Sequence, residues 1–307
     1  MLSINNISFS YTNNPFISQF STTVSGGNVL AIVGESGCGK STVLKLIYGL
    51  HDLNKGEIYW NSEKVTGPEF NLVPGMPYMK YLAQDFDLMP FTTVAENVGA
   101  FLSNFYKAEK EVRIEELLEV VDMTDFSNVK VKSLSGGQQQ RVAIARVLAK
   151  KPEVILLDEP FSHIDNFRKN KLRRQLFKYI KKEEITCVMA THDVNDSLSF
   201  ADEILIMKEG EKLVQNTPEF LYQNPPSYYV GSLFGNINKV FIHGEEKLVY
   251  PHQIVVVPEN GVEVKVVESY FKGDYYLIEA TVGAKSLFFK HTSALQVDST
   301  CLVNIKI

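Results

Sequence analysis

The feature that most constrains this chain is the loop Gly34-Glu35-Ser36-Gly37-Cys38-Gly39-Lys40-Ser41. It follows the apolar run Leu30–Val33 and opens into Ser41–Leu50, where Val43, Leu44, Ile47 and Leu50 are spaced like the buried stripe of a helix. Strand, loop and helix in that order are the beginning of an α/β fold. Glycines at 34, 37 and 39 permit a tight turn whose backbone amides point inward, and the following helix adds the positive end of its dipole. Such a loop is built to cradle phosphate oxygens. Lys40 brings a mobile cation to β and γ phosphates, and the Ser41 hydroxyl is suited to Mg²⁺. Glu35, Ser36, Cys38 and Thr42 complete the nucleotide-contacting set expected here. Cys38 is read as a small residue filling the turn, not as a nucleophile. A turn that binds nothing is disfavoured because motif and flanks agree.

The chain up to about residue 225 keeps the same alternation. Residues 2–11 hold loosely alternating apolar positions. Lys110–Val121 sets Val112, Ile114, Leu117, Leu118 and Val121 at helical spacing, with Glu109 and Arg113 as an i,i+4 charge pair. Gln138–Ala149 predicts another helix, and Arg168–Lys182 a basic helix with a solvated face. Val154–Leu157, Ile185–Ala190 and Glu203–Lys208 predict strands covered on both faces. Asn224-Pro225-Pro226-Ser227 marks a change of character. Beyond it, β-prone runs at Lys239–Ile242, Lys247–Val249, Gln253–Val257, Val262–Glu268, Tyr275–Val282 and Ser286–Phe289 predict a small all-β barrel or sandwich. The expected division is 1–230 and 231–307.

Bulk properties narrow the function. At 307 residues the chain exceeds the usual single core. Lys and Arg total 31 against 36 Asp and Glu, a net charge of −5 that disfavours coating nucleic acid or an anionic membrane. Three cysteines, Cys38, Cys187 and Cys301, are too few and too scattered for a disulfide framework. With no run of 18 apolar residues and no secretory signal, the expectation is a cytoplasmic protein that is not itself a channel or permease.

The chemistry resides in two further segments. In Val154-Ile155-Leu156-Leu157-Asp158-Glu159-Pro160, acids emerge from the end of a buried strand. Asp158 is placed to hold Mg²⁺, and Glu159 has the chemistry of a general base on an attacking water. With the phosphate loop, these acids predict a nucleoside triphosphatase core. Leu134-Ser135-Gly136-Gly137-Gln138 then decides among the classes that share one: Ser135 and the amides of Gly136 and Gly137, at a helix start, form a second anion cradle.

At this point residues 2 to about 225 resemble the nucleotide-binding subunit of the ATP-binding cassette (ABC) transporters. The resemblance implies a P-loop NTPase core with a helical subdomain, ATP and Mg²⁺ as cofactors, and ATP hydrolysis. Tyr11 matches the aromatic residue that stacks on adenine, Gln84 the loop glutamine that senses Mg²⁺ and the γ phosphate, Asp165 the acid of the short loop after Glu159, and His192 the switch histidine. In the family, the cradle of Ser135, Gly136, Gly137 and Gln138 reaches the ATP of the other subunit in a head-to-tail homodimer. One departure lies at His163 and Ile164, where the family usually has a small residue and a leucine, so His163 would stand at the dimer seam.

Asp85–Val98 resembles the importer loop that receives the coupling helix of a membrane permease, and the tail resembles the small TOBE-like barrel of importer ATPases, with Tyr250 where an arginine is common. The resemblance therefore implies a peripheral subunit on the cytoplasmic membrane face, partnered by permease subunits and indirectly by a substrate-binding protein, with ferric iron or polyamine as cargo and no nucleic acid. The alternative is a soluble regulatory or nucleic-acid-linked ABC ATPase.

Overall fold

The computed structural model describes residues 1–12, 14–242 and 245–306. They form two compact units, Met1–Pro218 and Glu219–Ile307.

The first unit holds two sheets. Strands β1 (Leu2–Phe9), β2 (Ile17–Val24), β4 (Lys55–Trp60) and β5 (Glu63–Val65) make an antiparallel sheet in the order β2-β1-β4-β5. The second sheet joins β3 (Val29–Val33), β6 (Met79–Leu82), β7 (Val154–Asp158), β8 (Thr186–Ala190), β9 (Glu203–Lys208) and β10 (Glu211–Asn216) in the order β10-β9-β3-β8-β7-β6. All its pairs are parallel except β10 with β9. Every residue of β3, β7 and β8 is buried, as a parallel sheet covered on both faces requires. Helix α1 (Lys40–Tyr48) turns Val43, Leu44, Leu46 and Ile47 into a core that also contains Leu2, Ile4 and Phe20 of the antiparallel sheet and Leu30, Ile32 and Leu156 of the parallel one. The antiparallel sheet lies outside the stretches that were legible as strands, apart from β1.

Three helices, α2 (Val94–Val98), α3 (Lys107–Val120) and α4 (Gly136–Leu148), form the helical part of this unit. The buried face of α3 differs from the one expected. Val112 is 66% exposed, while Arg113 is buried with Ile114, Leu117 and Leu118. Val112 sits roughly half a turn from Ile114, which a stripe one residue wide cannot include. Arg113 does not pair with Glu109. Its guanidinium donates to the carbonyls of Leu148 (2.8 Å) and Ala149 (3.2 Å), free groups at the end of α4, and to Glu116 at 2.7 Å. Helix α5 (Asn166–Lys182) is solvated on one side and buries Leu172, Leu176, Phe177 and Ile180 on the other. Helix α6 (Val194–Phe200) completes the unit.

The division falls at Pro218/Glu219, ahead of the residue-230 boundary expected from sequence, so residues 219–230 group with the second unit. Helix α7 (Pro218–Gln223) spans the division, and α8 (Tyr228–Leu233) follows it. A hairpin of β11 (Asn238–Ile242) and β12 (Glu245–Val249) accompanies an antiparallel sheet of β13 (Ile254–Val257), β14 (Val262–Phe271), β15 (Tyr276–Val282), β16 (Lys285–His291) and β17 (Thr300–Ile305), ordered β13-β17-β14-β15-β16. The last strand was not expected from sequence, yet it bridges β13 to β14. Buried Asn238 ties hairpin to sheet: its amide donates to Val249 O (3.2 Å) and Phe288 O (2.8 Å) and accepts from the Phe288 amide (2.7 Å). Tyr250 stacks on Tyr222 at 4.4 Å and donates to Gly231 O at 3.2 Å, so an aromatic stack with a satisfied hydroxyl stands where the family has arginine.

Candidate nucleotide site

Four neighbouring parallel strands, β3, β8, β7 and β6, end at the same edge of their sheet, and each exits into a residue singled out from sequence. From β3 comes the loop 34–41, from β8 His192, from β7 Asp158 and Glu159, and from β6 Gln84. The carboxyl edge of an open α/β sheet is where such folds bind ligands.

The loop glycines have separate duties. A Cβ on Gly34 would fall 2.3 Å from Met207 O, and Gly37 and Gly39 take φ of +82° and +108°. The ammonium of Lys40 donates to the carbonyls of Gly34 (2.8 Å) and Glu35 (3.0 Å), at the centre of the loop. Cys38 is 6% exposed, and burial raises its thiol pKa, in keeping with a filler. Ser41 Oγ donates to Asp158 Oδ1 at 2.9 Å, and Tyr81 OH donates to Oδ2 at 3.0 Å. Burial raises the Asp158 carboxyl pKa, and these two hydrogen bonds pull against it. One hydroxyl and one buried carboxylate are hard oxygen donors, a set that fits Mg²⁺ bound together with phosphates.

Glu159 sits at φ +50°, in the left-handed region that costs a side-chain-bearing residue energy. Its backbone is fixed on both sides. The amide donates to Ala190 O (3.0 Å), and the carbonyl accepts from Gln140 Nε2 (2.9 Å) and Ser162 Oγ (3.1 Å). The Glu159 carboxylate and His192 Nδ1 are 2.8 Å apart. A carboxylate only accepts, so the imidazole proton is on Nδ1. Behind His192, buried Arg173 pairs with both Asp193 and Asp196, and Thr191 donates to Asp196 at 2.9 Å. Burial pushes the Asp196 carboxyl up to about 6 while Arg173 opposes it.

Tyr11 is 53% exposed in a cluster with Phe9, Phe16 and His51, and its hydroxyl is 3.1 Å from Thr42 Oγ1. Gln84 is exposed just past β6. Ser135 caps α4: its hydroxyl accepts from the Gln138 amide at 3.4 Å, and the Gln138 side chain accepts from the Ser135 amide at 2.9 Å. Gln138 was expected to contact nucleotide, and its side chain is engaged in this cap. A Cβ on Gly136 would meet nothing within 4 Å, whereas one on Gly137 would fall 2.6 Å from His163 O. His163 is engaged within its own chain. Nδ1 lies 3.0 Å from Ser162 Oγ, the ring meets Phe86 edge-on at 5.4 Å, and the amide donates to Gln140 Oε1 at 3.1 Å. Asp165 immediately precedes α5.

Sequence reasoning missed Gln140, Tyr81 and Arg173. Nothing in the residues around each one sets it apart, and only a partner distant in sequence gives it meaning. The one available signal was a polar type at a position that the apolar pattern buries.

Residues 17–162 match the family described as ABC transporter. The solved dimeric bacterial ABC transporter cassette MJ0796 is 30% identical, with a TM-score of 0.63 over 71% of this chain and 99% of that one. The chain belongs to the ABC transporter family. Curated relatives of this cassette include the putrescine transport ATP-binding protein PotG of Escherichia coli K12, 34% identical over 78% of this chain and 63% of the relative. The Fe(3+) ions import ATP-binding protein FbpC of Haemophilus influenzae 86-028NP is 34% identical over 73% of this chain and 65% of the relative. The cassette chain thus matches just under two thirds of the length of these relatives. No helix among the described residues is long and apolar enough to cross a membrane.

Proposed function

We propose that this cassette is the ATP-hydrolysing subunit of an importer. The observation that carries the reading is the convergence of the Lys40 loop, the Ser41–Asp158 pair and the Glu159–His192 pair on one sheet edge. ATP would lie along residues 34–42 with its adenine against Tyr11. Lys40 would exchange the Gly34 and Glu35 carbonyls for phosphate oxygens. Ser41 and Asp158 would hold Mg²⁺, with Gln84 nearby, and the ion would offset phosphate charge. Glu159 would take the proton of the attacking water, and His192, oriented through Nδ1, would accept from that water at Nε2 or, once protonated, donate from Nε2 to the γ phosphate.

Two copies of the chain would close head to tail on two ATP molecules, each offering Ser135, Gly136 and Gly137 to the other's phosphates. A solved post-hydrolysis state of the cassette MJ0796 is a dimer bound to ADP and Pi, which supports this reading. Closure would drive permease subunits through the segment 85–98 at the cytoplasmic membrane face, with a substrate-binding protein delivering cargo. The names of PotG and FbpC favour a small cationic cargo, a polyamine or ferric iron.

The expected behaviour of E159Q tests the chemistry. Nucleotide-driven dimers should persist in size-exclusion chromatography while hydrolysis falls at least ~100-fold, a loss of general-base size. Turnover at the wild-type rate would remove Glu159 from that role. Co-purification from native membranes with a permease tests the transport reading, and an isolated ATPase stimulated by nucleic acid would reject it.

A further inference from the structure

Tyr81 has a place in the site that no motif assigns. It lies on β6, paired with Leu156 of β7, and that register brings its hydroxyl to the end of the neighbouring strand. There it donates to Asp158 Oδ2 at 3.0 Å, while Ser41 donates to Oδ1 at 2.9 Å. Both oxygens of a carboxylate only 3% exposed are therefore held, each by a different hydroxyl. Little freedom remains to the ring itself. Tyr48 of α1 packs against it at 5.5 Å, and Gly75 approaches Tyr48 so closely that a Cβ there would fall 2.3 Å from a ring carbon. A carboxylate only accepts, so in this contact the Tyr81 hydroxyl is the donor. Three residues further along the chain is Gln84.

We propose that Tyr81 is a positioning residue for the divalent cation: by occupying Oδ2 it fixes the plane of the Asp158 carboxylate and presents Oδ1, beside Ser41, to the metal of the metal–nucleotide complex. The inference rests on the reading of Ser41 and Asp158 as the Mg²⁺ holders. Partners that orient a ligating group typically account for ten- to a hundredfold in metal affinity, because an unheld carboxylate must be ordered as the ion binds. The same strand delivers Gln84, so the carboxylate orientation and the start of the permease-facing loop share one support.

The test is Y81F, which keeps the ring and removes the hydroxyl. Mn²⁺ binding is followed by electron paramagnetic resonance in the presence of ATP, and ATP affinity is measured separately in EDTA. The expected result is a roughly tenfold weaker Mn²⁺ affinity with metal-free ATP affinity unchanged. Y48F, which removes the hydroxyl of the adjacent ring, should leave both at wild-type values. If Y81F binds Mn²⁺ like the wild type while D158N binds it weakly, the role of Tyr81 is overturned and the metal assignment stands. If D158N and S41A also bind Mn²⁺ like the wild type, the metal assignment itself has failed. Should Y81F melt far below the wild type, Y81H supplies a different ring with a donor, and wild-type Mn²⁺ affinity in a folded Y81H would support the hydrogen bond as the cause. Weak Mn²⁺ binding in Y48F as well would overturn the proposal, because loss of any hydroxyl near the site would then have the same effect.

Discussion

Gly136 and Gly137 are adjacent in the chain and opposite in circumstance. The first faces open space and the second faces His163 O, so a methyl group would act differently at each. G136A should melt within about 1 kcal/mol of the wild type, the modest change expected of alanine at a helical glycine, yet fail to form ATP-dependent dimers in light scattering, because its Cβ enters the anion cradle. G137A should shift the backbone at 163 and loosen Gln140 from the His163 amide and Glu159 O, slowing hydrolysis even where one subunit of a mixed dimer is wild type. Equal behaviour of the two variants would mean that the cradle reading is wrong. At this scale the sequence was informative wherever chemistry comes as a string: Lys40, Ser41, Asp158, Glu159 and His192 gather as expected, because glycine spacing and a strand-ending acid pair carry local meaning. It was silent about Tyr81, Gln140 and Arg173. Their roles exist only once β6 lies beside β7, α4 beside the 159–163 loop, and α5 behind His192.

Two elements begin with the same device. Thr93 and Ser135 each form a capping box, with Glu96 for α2 and Gln138 for α4, satisfying amides that a helix start leaves free. Replacing either by alanine should cost about 1 kcal/mol, read from chemical denaturation. Their functional consequences should part: T93A should keep ATP-driven dimerisation, and S135A should lose it, since only Ser135 is read as facing the partner's phosphates. Dimerisation lost equally in both would show that the cap, not the cradle, matters. Element types were legible where burial is complete, as in β3, β7 and β8, whose unbroken apolar runs need no context. Strands β2 and β4 carry exposed polar residues among their buried ones, and β17 buries only Val303 fully, so pairing partners define them more than composition does. The misjudged face of α3 has a similar origin. Arg113 was paired with Glu109 because its true partners, the last carbonyls of α4, lie far away in sequence.

At the scale of the whole molecule, the two units have separate cores, one uniting both sheets around α1 and the other built on Val264, Ile278 and Phe289. Each buries enough to be tested alone. Residues 1–218, expressed without the rest, should unfold in a single cooperative transition and bind ATP with Mg²⁺ within about threefold of the full chain, a difference below 1 kcal/mol. A collapsed species without a sharp transition would make the second unit part of the first one's stability. The change of composition near Pro225 disclosed that there are two parts, while the exact division depends on how α7 and α8 pack, which local pattern does not carry.

The order β10-β9-β3-β8-β7-β6 also has a consequence in time. Val29 stands in register with Cys187 of the neighbouring strand, and the acids of the site reach the phosphate loop only after most of the chain has been threaded into the sheet. Pairings so remote in sequence form late, because the loops they close must first be paid for in entropy. During synthesis on the ribosome, therefore, the nascent cassette carries its most recognisable loop for a long interval before it can grip a nucleotide, and ATP acts as a seal on the finished fold, not as a template for it.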